Sequence, residues 1–141
     1  MRFMMFMKPP VAIDRDEEQY GPTPEDVSAM MAYNEELTKA GVLLALDGLH
    51  PTSKGARVRH EGGRTTVTDG PFTEAKELIG GYWIIDVKSK DEAIEWAKRV
   101  PGNDSFEIEL RQVAEMSDFP EDVQEAAGEL SQAPPEQTTA R

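Results

Sequence analysis

Three segments of this chain are apolar at consecutive positions, within residues 2–8, 42–46 and 82–87. A strand with one wet face alternates apolar and polar residues, whereas a strand apolar throughout needs cover on both faces. These segments therefore constrain the fold more than any other feature. Each falls short of the roughly 20 residues needed to span a bilayer. The apolar part of the first is too short for a signal core before Lys8-Pro9-Pro10. The chain is expected to be soluble and cytoplasmic, with no membrane partner.

The segments between them have clear punctuation. After a long loop at 9–22, Thr23 is an N-cap, Pro24 occupies the first helical position, and Glu25 and Asp26 favour the positive dipole end. Val27, Met30, Met31, Asn34, Leu37 and Thr38 recur at helical spacing, and Gly41 closes the helix. A buried strand at 42–46 follows directly. Residues 56–60 and 64–68 flank Glu61-Gly62-Gly63 and predict a hairpin with one wet face. Ser89 and Glu92 make a capping-box pattern for a second helix that Pro101 stops, and the alternation from Phe106 to Val113 predicts the last strand.

The order is β-α-β, hairpin, β-α-β, an α+β chain in which two βαβ halves resemble a ferredoxin-like protomer with an inserted β-hairpin. Helices cover one sheet face. In so small a chain the simplest cover for the other is a second copy of the same sheet, so a homodimer with a cavity between the sheets is expected. Residues 1–116 form the predicted domain, and 117–141 an acidic tail. A helical turn is expected at 122–129 and disorder at 131–141.

Composition excludes several functions. The formal charge is −12, from 15 basic and 27 acidic residues. Six carboxylates face only Arg141 in the tail, which leaves about −7 on the rest, still repulsive to phosphate backbones. No basic stripe interrupts that field, so direct nucleic-acid binding is not expected. With no cysteine and two histidines there is no thiolate chemistry and no metal-ligand spacing. Gly62-Gly63 and Gly80-Gly81 lack the context of phosphate loops, and no cofactor is expected.

The densest chemistry lies in Thr68-Asp69-Gly70-Pro71-Phe72-Thr73-Glu74-Ala75-Lys76-Glu77. Pro71 pre-sets φ for a short helical turn, Gly70 tolerates conformations closed to other residues, Asp69 can accept N–H bonds from the turn, and Phe72 can anchor it in the core. As turn chemistry alone this is a strand-to-helix corner. The crowding of Asp69, Glu74, Lys76 and Glu77, with Tyr82 beyond Gly80-Gly81, supports a binding or acid–base role. His50 follows Asp47 by three residues at a strand end, a candidate pair; His60 sits beside the hairpin turn and reads as solvated.

The run Thr68-Asp69-Gly70-Pro71-Phe72, Glu74-x-Lys76-Glu77-x-x-Gly80-Gly81-Tyr82 resembles the DGPF branch of the YCII-related family. Ala40-Gly41-Val42-Leu43, Gly48-Leu49, Glu92-Ala93 and Glu107-Ile108-Glu109-Leu110-Arg111-Gln112-Val113 add to the likeness. The resemblance implies a dimeric α/β-barrel with a small-molecule cleft near the sheet surface. Asp69, Asp47 and His50 are then the catalytic candidates, and Glu74, Lys76, Glu77, Tyr82 and Arg111 the ligand contacts. Gly70, Pro71, Phe72, Gly80 and Gly81 are the structural turn. It also implies, as an alternative, a non-enzymatic interaction module with a sigma-factor-linked regulatory partner. The His-Asp mechanism of some relatives does not carry over, because no histidine lies between Thr23 and Gly41 and the place falls near Met30.

Overall fold

The computed structural model describes residues 1–10, 22–74, 77–102 and 105–130. Most of the expected 9–22 loop, Lys76 and the tail beyond 130 lie outside them. The elements run β1 (Arg2–Lys8), α1 (Pro24–Lys39), β2 (Leu43–Gly48), β3 (Ala56–Glu61), β4 (Arg64–Asp69), β5 (Gly81–Asp86), α2 (Lys90–Lys98), β6 (Glu107–Gln112) and α3 (Glu121–Leu130). Strands β2-β5-β1-β6 form one antiparallel sheet in that order, and β3-β4 form a separate hairpin. Order and direction are compatible with a ferredoxin-like fold carrying an inserted hairpin. No helix among the described residues is long and apolar enough to cross a membrane.

Capping residues act as their chemistry demands. Thr23 Oγ1 accepts from the Asp26 amide while the Asp26 carboxylate accepts from the Thr23 amide, a reciprocal capping box. Gly41 takes φ +72° just past the helix end, where a Cβ would be strained. Ser89 caps α2 by accepting from the Glu92 amide, whereas the Glu92 carboxylate reaches back to the Lys88 amide. The helix ends at Lys98, before Pro101 is needed to stop it.

One sheet face carries the core. Phe3, Met5, Trp83 and Ile85 project from it and pack with Tyr33 and Leu37 of α1 and Ala93 of α2. Tyr33 meets Trp83 edge-on at 5.9 Å between ring centroids and donates to the Trp96 carbonyl at 2.8 Å, while Trp83 Nε1 donates to Asn34 Oδ1 at 2.9 Å. Buried aromatic rings thus keep partners for their polar ends. The predicted α1 stripe is rotated from the observed one: Met30, Tyr33 and Leu37 face the core, while Val27 and Met31 are exposed.

Two further expectations are corrected. β2 is an edge strand, with a register shift between Leu43 and Ala45 and with Leu44 and Leu46 exposed, because β5 inserts between β2 and β1. Within a single chain this run leaves two of its apolar residues uncovered. The hairpin is wet on both faces rather than one, with Val58 and Val67 paired and both exposed. Its turn is Gly62-Gly63 at φ +57° and +75°, between the paired Glu61 and Arg64.

Burial pushes the Tyr33 phenol up to about 12 from its ordinary 10.0. Above pH 10 the unfolded chain releases this proton while the folded chain holds it, so the unfolded state gains and stability falls up to about pH 12. Tyr33→Phe should cost about 1 kcal/mol near neutral pH through the lost hydrogen bond. That deficit should shrink in urea unfolding at about pH 11, where the wild type alone carries the ionisation cost. A deficit independent of pH would refute the burial effect.

Candidate functional site

The Asp69–Phe72 corner is a packed junction between two backbones. The Gly70 amide donates to the Gly55 carbonyl at 3.0 Å, and the Gly70–Pro71 peptide is cis. A Cβ on Gly70 would lie 1.7 Å from the Thr52 carbonyl oxygen and 2.5 Å from its carbon, so no side chain fits unless the backbone moves. The Phe72 amide then donates to Thr52 Oγ1 at 3.0 Å. Phe72 is half-buried beneath Arg57, whose guanidinium carbon sits 3.7 Å from the ring centroid. Arg57 Nη2 also pairs with Glu77 Oε2 at 2.9 Å. This latch ties the segment after β4 to the base of β3.

The helical turn expected to open at Pro71 does not form over 71–74. The chain instead passes close to the Thr52 backbone, and the Glu77 N–H donates to the Glu74 carbonyl at 2.9 Å. Asp69 pairs with Ala56 at the end of the hairpin and is exposed; no hydrogen bond to its carboxylate occurs among the described residues. Glu74 is exposed as well. Phe72 is anchored by Arg57 rather than in the core. His60 shares a 3.3 Å contact with Thr65 Oγ1 on the exposed hairpin.

The other polar cluster lies on the sheet face opposite α1 and α2. Antiparallel partners share a face, and Asp47, Tyr82, Phe6 and Glu109 form one row across the four strands. Ala45, Ile84, Met4 and Arg111 form the next. The Tyr82 phenol donates to Asp47 Oδ2 at 3.0 Å, and that bond holds its proton above the usual tyrosine range. Lys8 Nζ donates to Glu109 Oε1 at 2.9 Å and draws its carboxyl below the usual range; Arg111 lies 3.9 Å from the same carboxylate. Between these polar ends the floor is Met4, Phe6, Ile84 and Ala45, all half-buried.

The sequence candidates thus divide. Asp47, Tyr82 and Arg111 share the open sheet face, Glu77 and His50 line a groove beside the latch, Asp69 is at the hairpin end, and the Glu74 carbonyl accepts from the Glu77 amide. Asp47 and His50 do not hydrogen-bond, because register puts Tyr82 across from Asp47 while Leu49 turns away to bond the Gly80 carbonyl. Gly81 lies against the Asp47 backbone, where a Cβ would come within 3.0 Å of its carbonyl oxygen, so that glycine serves strand pairing. Sequence reasoning missed Lys8, Glu109, Arg57 and Thr52; the first two alternate into the open face by strand periodicity. Among the described residues no group of three or more His, Asp or Glu could hold a metal ion.

Fold and site together define a small α+β domain with a polar-rimmed, apolar sheet face. Residues 1–117 match the YCII-related domain, and the chain belongs to that family. It is also 37% identical over 83 residues to an uncharacterized protein of Rhizobium meliloti (strain 1021), an alignment that spans 56% of this chain and 67% of the relative.

The latch gives a direct prediction. Gly70→Ala should lower stability by about 2–3 kcal/mol in urea unfolding, since the methyl meets backbone that cannot rotate away. Gly48→Ala, with open space around the position, should change it far less. Equal effects would show that the Gly70 approach is not what constrains the corner.

Proposed function

We propose that two copies of the chain pair through their open sheet faces and enclose a site for a small organic molecule. The observation that supports this most is the pair of rows on that face. An apolar floor of Met4, Phe6 and Ile84 runs between Asp47–Tyr82 at one end and Lys8–Glu109–Arg111 at the other. Ligand sites commonly combine an apolar lining with a few convergent polar groups. Asp47 and the Tyr82 oxygen offer acceptors, and Lys8 and Arg111 offer cationic donors, so an elongated ligand with unlike polar ends suits the face.

We read the chain as a member of the DGPF branch acting in the cytoplasm as a dimeric α/β-barrel. Tyr82 retains its proton because Asp47 accepts its hydrogen bond, so the pair suits hydrogen bonding to a bound ligand. The corner at Gly70 supports the scaffold on this reading and takes no part in chemistry.

In sedimentation at micromolar concentration the wild type should run as a dimer. Ile84→Glu should run as a monomer with unchanged far-ultraviolet circular dichroism, because a carboxylate on that floor would be buried without a partner. A monomeric wild type would overturn the proposal.

A further inference from the structure

The latch borders a second surface, distinct from the sheet face. A groove of about 520 Å³ runs beside it, within the size range of ligand sites. Pro51, Phe72, Leu49 and Ile79 give it an apolar lining. Its permanent charges are Lys54, Arg57 and Glu77, with the His50 imidazole beside them. The Glu77 carboxylate is already committed to Arg57 at 2.9 Å. Among the described residues Lys54 forms no ion pair, so their charges in the groove leave one positive charge over in a chain of formal charge −12.

The Arg57 guanidinium is held in place from two sides. Its plane rests on Phe72, and Glu77 meets one of its nitrogens. A guanidinium carries five N–H donors in a rigid fork, and a fork fixed in advance loses little freedom when a carboxylate docks. The close-packed Gly70–Thr52 junction, with the Phe72 amide bonded to Thr52 Oγ1, adjoins it.

We infer that this groove binds a small monocarboxylate with an apolar body. The surplus cation among the described residues, Lys54, matches one negative charge, and the apolar lining takes the rest of the molecule. A phosphate dianion would exceed the available positive charge and leave the lining unused. A neutral apolar ligand would leave Lys54 without a counter-charge.

The test is an amide-resolved NMR titration of the full-length protein with octanoate, octanamide, acetate and inorganic phosphate. Octanoate should shift the Gly55, Ala56, Arg57, Phe72 and Ile79 amides in a saturable way. Octanamide and acetate should each bind at least about fivefold more weakly, lacking charge and body respectively. Lys54→Met, which keeps the stem, should weaken octanoate roughly threefold or more and leave octanamide unchanged. Octanoate should still bind Ile84→Glu, so failure of the dimer reading and failure of this one are read separately. The inference is overturned if octanamide or phosphate equals octanoate, or if Lys54→Met changes nothing. Shifts that gather on Phe6, Tyr82 and Ile84, or the lack of saturation by about 10 mM octanoate, overturn it as well.

Discussion

The arrangement of this molecule depends on how β5 seats between β1 and β2. Gly81 lies so close to the Asp47 carbonyl that a Cβ would sit 3.0 Å from it, and the Gly80 amide donates to the Met7 carbonyl at 2.7 Å. Those contacts fix register, and register in a sheet decides which face every side chain meets. With Tyr82 opposite Asp47 and Phe6, Trp83 must point to the helices and Ile84 away from them. A shift of one residue would send Trp83 into the open face and strip Tyr33 and Asn34 of their partners. The core and the candidate site are therefore two sides of one pairing.

The Gly70 corner is a second constraint of the same kind. Its motif reads as chemistry because Asp69, Glu74, Lys76 and Glu77 crowd together in sequence. In space Gly70 serves a backbone crossing over Thr52, Phe72 serves as the platform for Arg57, and Glu77 neutralises that arginine. The exposed hairpin gains a firm base in this way. An isolated two-stranded ribbon is only marginally stable, and this one begins where Gly70 bonds Gly55 and Arg57 clasps the neighbouring segment.

Much of the element order was legible because local rules govern it: the Thr23 cap, the positive-φ Gly41 and the Gly62-Gly63 turn are all decided within a few residues. What escaped was decided by distant pairing. Val42 to Leu46 reads as a core strand, yet strand order puts it at an edge, so Leu44 and Leu46 are left exposed. The apolar residues of α1 permit two overlapping stripes, and the Trp83 and Tyr33 contact selects the one that leaves Met31 outside. Asp47 and His50 are near in sequence, whereas Asp47 and Tyr82 are 35 residues apart and meet only through the ladder. No spacing rule reaches that far. Arg57 carries no sequence signal at all, since its role exists only once Phe72 is beneath it.

On the proposed reading the open sheet face is both the pairing surface and the ligand site. An isotope-filtered NOE experiment on a mixture of labelled and unlabelled chains tests its proposed pairing most directly. The account predicts intermolecular NOEs between the Ile84 and Met4 methyl groups of one copy and the Phe6 and Ile84 side chains of the other. Intermolecular NOEs confined to α1, α2 or the hairpin, or none at all, would contradict it.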